Sequence, residues 1–122
     1  MYFPISDWFA AFVVTLVIEF PIVAFLVRRQ EPDLFRLGIV LIFANLATHL
    51  AVWYVVSQLL LVGTLGYTLA AETWAVTAEA LVYWAAVKGL TVRRAIAVAV
   101  AANATSFLVG RALGELRPEL FS

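Results

Sequence analysis

The sequence predicts an all-α integral membrane protein built as an antiparallel bundle of four transmembrane helices. Composition is the first reason: 65% of the 122 residues are hydrophobic and 13% charged, with a mean hydropathy of +1.01, whereas soluble domains run near half apolar and about a quarter charged. The second is length. Four apolar stretches lie between charge clusters, each close to the ~20 residues that carry a helix across ~30 Å of hydrocarbon. The third is the turn chemistry between them.

The first stretch, Trp8 to Val27, holds Glu19 as its one ionisable residue. Pro21 lies two residues on, frees the carbonyl of Val17 and predicts a kink just after Glu19. The second, Leu37 to Gly66, holds only His49, and the third, Tyr67 to Val87, holds Glu72 and Glu79. The fourth, Ala95 to Gly110, has no ionisable residue and is lengthened by the snorkelling arginines Arg93, Arg94 and Arg111. Breaks fall at Arg28 to Asp33 with Pro32, at Gly63-Thr64-Leu65-Gly66 and at Gly89-Leu90-Thr91. The expected helices run about 6–28, 35–62, 67–88 and 92–114, in one transmembrane domain over 1–122.

Six of the eight basic residues, Arg28, Arg29, Arg36, Lys88, Arg93 and Arg94, flank the first and third breaks. The positive-inside rule puts loops 28–36 and 88–94 in the cytoplasm and both termini outside. The expected location is a cytoplasmic membrane of bacterial or archaeal type. Met1 to Asp7 has no basic residue, so the first helix is expected to be retained rather than cleaved as a signal peptide. Tyr2, Phe3, Trp8, Tyr67, Tyr83 and Trp84 suit interfacial aromatic belts. Small residues at Ala95, Ala99 and Asn103, with Ala97 and Ala101 beside them, suit close helix contact along the fourth helix.

The formal net charge is zero, which removes the basic surface that a nucleic-acid partner requires. With no cysteine and one histidine, disulfides, thiolate metal sites and covalent haem are excluded. No nucleophile elbow, phosphate loop or dinucleotide fingerprint occurs, and no cofactor is expected.

The two halves carry a weak internal repeat. Glu19 and Glu79, and Arg28 and Lys88, are sixty residues apart; Arg36 and Arg94, and Asn45 and Asn103, are fifty-eight apart. Each half reads E-x8-[RK], a loop, then R-x8-N. Two such helical hairpins would be related by a pseudo-two-fold axis along the membrane normal. Nine residues at ~1.5 Å each place Glu19, Asn45, Glu79 and Asn103 about 13–14 Å from the basic boundary, in one plane near mid-membrane. Thr48 and His49 share the face of Asn45, Ser106 that of Asn103, and Glu72 stands two turns outward of Glu79, solvated or interfacial.

Two glutamates at one depth should not both be ionised. Desolvation and mutual repulsion make them titrate as a unit around an exchangeable proton, with His49 as its relay. This points to proton- or cation-coupled transport or conduction by an oligomer, with Asn45 and Asn103 positioning the carboxyls. The same residues also suit a plainer role: amides and protonated carboxyls glue membrane helices together, as in an accessory or assembly subunit of a larger membrane complex. A metal reading draws on Glu19, His49 and Glu79, with Glu72 nearby, but has no HExxH or ExxH spacing behind it. Size, helix number and a glutamate in the middle of the first helix resemble the small multidrug transporters, proton-coupled exporters that work as dimers. The resemblance ends at Glu19: Tyr67–Val87 lacks that family's glycine-rich pattern and carries a second glutamate, and the basic bias argues against dual topology.

Overall fold

The computed structural model describes residues 5–116. The expectations for Tyr2 and Phe3 fall outside them. Four helices and no strand are found among the described residues. Helix α1 spans Ile5–Leu26 and stays one helix through Pro21. Helix α2 is α-helical over Leu34–Ala51, passes through a π-helical stretch at Val52–Val56 and closes with the turn Ser57–Leu59. Helix α3 spans Leu65–Ala86 and helix α4 spans Val92–Leu116.

Each start has a local cause. The Asp33 side chain accepts from the backbone N–H groups of Phe35 and Arg36 and so caps α2. Thr64 accepts from Tyr67 N–H and caps α3, and Thr91 accepts from Arg94 N–H at the start of α4. The Thr64 cap corrects the expected boundary. Gly66, assigned to the turn from sequence, lies in the first turn of α3; the glycine the turn needs is Gly63, whose φ is +91°.

The helices form a ring in which α1 and α3 each pack on α2 and α4. The widest contact joins α3 to α4, and Ala95, Ala99 and Ala102 of α4 are fully buried, small enough to let neighbouring backbones approach. Ala97, expected in that stripe, faces outward. Large apolar side chains such as Val17, Phe25, Phe43 and Leu81 are exposed around the outside. Three helical stretches, Trp8–Leu26, Leu34–Leu59 and Val92–Leu113, are long and apolar enough to cross a membrane. Helix α3 has the length but is diluted by Thr68, Glu72, Thr73, Thr77 and Glu79.

At the basic end of the ring two arginines tie the halves together. The Arg36 guanidinium donates to the carbonyl of Ala86 at the end of α3 (2.7 Å), and Arg94 donates to Leu26 at the end of α1 (2.9 Å). Both contacts meet carbonyls that a helix C-terminus leaves unpaired, where the helix dipole favours a cation. Leu26 and Ala86 are sixty residues apart, as Arg36 and Arg94 are fifty-eight, so the two clasps recur at the sequence offsets. The caps Asp33 and Thr91 recur at fifty-eight.

Removal of a cap gives a direct check on α2. Asp33→Ala is expected to lower unfolding stability in mixed micelles by about 1 kcal/mol, and Asp33→Asn by much less; equal losses for both would assign the effect to charge rather than capping.

Candidate functional site

Glu19 and Glu79 are both 0% exposed, Asn45 is 1% and Asn103 is 8%. The plane expected from sequence is therefore a set of contacts. Asn45 donates from Nδ2 to Glu19 Oε1 (3.3 Å) and to the carbonyl of Leu41 (3.0 Å). Asn103 donates from Nδ2 to Glu79 Oε2 (2.8 Å) and to the carbonyl of Ala99 (2.8 Å). The second bond in each case fixes the amide against its own preceding turn, so the amide reaches the carboxyl already oriented.

The hydroxyls repeat the pattern and then break it. Thr48 Oγ1 donates to the carbonyl of Asn45, and Ser106 Oγ lies 3.1 Å from the carbonyl of Asn103. Ser106 Oγ also reaches Glu19 Oε2 at 2.7 Å, bridging α4 to α1. The Glu19 and Glu79 carboxyls stand side by side in the core, close enough to share a hydrogen bond. An ionised carboxylate only accepts, so two carboxyls in this contact need a proton between them.

The two carboxyls differ in what else surrounds them. Tyr83 donates from its hydroxyl to Glu79 Oε1 at 3.3 Å and is fully buried. That corrects the belt role expected for Tyr83: it stands one turn from Glu79 on the same face, an i,i+4 spacing that was there to be read. Trp84, its neighbour, is half exposed. Below this layer, towards the basic end, Val23, Leu37, Leu41, Val87 and Val98 close the core with almost no exposure.

Glu19 instead borders a cavity of about 170 Å³. Its wall also includes Thr15, Thr48, His49, Trp53, Glu72, Asn103 and Ser106. Glu72, expected to be solvated or interfacial, is half-buried and lines the cavity. The His49 ring packs edge-on against Phe12, with centroids 5.6 Å apart. Its Nδ1 is buried without a hydrogen-bond partner among the described residues. His49 thus shares the cavity with Glu19 and is not hydrogen-bonded to either central carboxyl. Among the described residues no group of three or more His, Cys, Asp or Glu side chains is placed to hold a metal ion.

The π-helical stretch brings Val52 and Trp53 into the cavity wall. An added residue in a helical turn widens it and shifts the register of its carbonyls. Ser57 donates from its hydroxyl to the Trp53 carbonyl, satisfying one of them. Trp74 lies outside this wall: it is half exposed and its indole N–H donates to the Ala47 carbonyl (3.3 Å).

Double-mutant cycles at the two Glu–Asn pairs should show coupling of about 0.6–1.7 kcal/mol, the range for hydrogen bonds between membrane helices. The Glu79/Asn103 pair, at 2.8 Å against 3.3 Å, should be the stronger; zero coupling at both would mean that the amides do not hold the carboxyls.

Compared with known proteins, the chain matches no family model, no curated protein and no solved structure. The likeness to the small multidrug transporters accordingly stays confined to size, helix number and Glu19, and what the site does has to be argued from its own geometry.

Proposed function

We propose that the protein is a proton- or cation-coupled transport or conduction element in which Glu19 and Glu79 carry the exchangeable charge. In this reading all four helices cross the bilayer. Helix α3 joins the three more apolar spans because its carboxyls face the interior of the ring. The loops at the basic end lie in the cytoplasm, by the positive-inside rule. The recurring Glu–Asn bonds, hydroxyl bonds and arginine clasps support a duplicated hairpin with a pseudo-two-fold axis along the membrane normal.

One observation carries the functional reading. Two buried carboxyls lie side by side, and one of them alone, Glu19, stands in the wall of a polar cavity. A pair held only as helix glue would not need to meet a cavity, and intramembrane carboxyls mark ion and proton pathways. Asn45, Asn103 and Ser106 position the pair. Glu72 and His49 stand in the cavity that leads to it. A four-helix bundle has little room for a continuous pathway, so the working unit is an oligomer.

The second reading, an accessory or assembly subunit, has its own support: Asn45 and Asn103 each bond a facing helix and their own backbone at once, as interhelical glue does. Native mass spectrometry separates them, because a homo-oligomer that purifies alone fits transport and a stoichiometric hetero-complex fits the subunit.

For the transport reading, purified protein in liposomes with a trapped pH dye should pass protons under a potassium diffusion potential. Glu19→Gln and Glu79→Gln should each abolish that flux while preserving expression and oligomeric state. Variants that lose assembly, together with a wild type that passes no protons, would reject transport.

A further inference from the structure

The cavity lies at particular helix positions. Thr15 and Glu19 come from α1, Thr48 and His49 from α2, Glu72 from α3 and Ser106 from α4. All four helices contribute, so the cavity lies on the bundle axis. On every helix the contributing residues sit between the Glu–Asn plane and the end away from the arginine clasps. The half of the axis towards the clasps is filled by apolar side chains and Tyr83 with almost no exposure. The axis is thus polar and open in one half and dry in the other.

We propose that the open half is a water-filled, cation-selective vestibule. It admits a proton or a small monovalent cation to Glu19 from the side of residues 60–64, and Glu72 in its wall sets the sign of the charge admitted. A cavity of about 170 Å³ with several hydrogen-bonding groups converging on it has the room and the partners that buried water requires. The buried Nδ1 of His49, unpaired among the described residues, is one such partner. Among the described residues two carboxyls and no lysine or arginine line the space, and a cleft with low-dielectric walls focuses the potential of such groups on entering ions. The widened turn at Val52–Val56 forms part of the wall. The inference rests on the proposed function only in naming protons and small cations as the traffic.

The chain has no cysteine, so single thiols report access without background. Ala71 and Ala75 line the vestibule, Ala80 belongs to the dry half, and exposed Thr64 and Thr91 mark the two ends. In sealed vesicles treated with membrane-impermeant methanethiosulfonates, Ala71→Cys and Ala75→Cys should react from the side that labels Thr64→Cys. They should react roughly tenfold or more faster with a cationic reagent than with an anionic one of equal size. Glu72→Gln should shrink that preference, and Ala80→Cys should stay unreactive. The vestibule is overturned if neither wall position reacts, if they react from the Thr91 side, if Ala80→Cys reacts as fast, or if charge makes no difference. A labelled vestibule in a protein without proton flux would remove the proposed function and leave the vestibule; the reverse combination would remove the vestibule alone.

Discussion

The burial of two neighbouring carboxyls, Glu19 and Glu79, sets the terms for everything else in this bundle. Lipid offers no hydrogen-bonding solvent and no hydrophobic drive between helices, so association rests on close packing and on polar contacts that are fully answered. A carboxyl at the centre of a helix costs roughly 2.5–3.5 kcal/mol on insertion scales. Two at one depth are tolerable only if they meet each other and find further partners. The chain supplies those partners from the facing helices: Asn45 for Glu19, Asn103 for Glu79, and Ser106 as a bridge between the halves.

The partners are nearly symmetric, and the departures from symmetry divide the bundle. Tyr83 backs Glu79 where its counterpart in the first half, Val23, offers nothing polar. Ser106 reaches Glu19, while no bond from Thr48 to Glu79 is found. Glu79 therefore belongs to the dry side of the pair and Glu19 to the side that opens on the cavity. The arginine clasps hold the dry end shut at the helix termini, and the π-helical turn of α2 loosens the other. A polar chamber above a sealed core follows from where these few residues fall.

Much of this was legible in the chain. The nine-residue spacings Glu19–Arg28, Arg36–Asn45, Glu79–Lys88 and Arg94–Asn103 convert directly to depth because an α-helix has a fixed rise, and the contacts at the centre agree with that arithmetic. The basic residues were readable as topology but not as clasps, since which carbonyl Arg36 and Arg94 reach depends on how the hairpins pair. Tyr83 was placed at an interface because aromatic residues near helix ends usually sit there; its i,i+4 relation to Glu79 carried the better signal. Glu72 was placed outside for the same reason of depth, although it lines a cavity to which the π-helical stretch of α2 contributes Val52 and Trp53. The departure from α-helical register has no mark in the sequence between Val52 and Val56, where apolar residues suit either kind of turn. The start of α3 was misread because Gly63 and Gly66 look alike in sequence, and only the Thr64 cap separates them.

The central claim is a proton held between Glu19 and Glu79. Infrared spectroscopy of the purified protein at neutral pH, with glutamate carrying carbon-13, tests it most directly. The account predicts a protonated-carboxyl carbonyl band that Glu19→Gln or Glu79→Gln removes or shifts and that Glu72→Gln leaves in place. Spectra showing only ionised carboxylates, or a protonated band indifferent to both central substitutions, would contradict it.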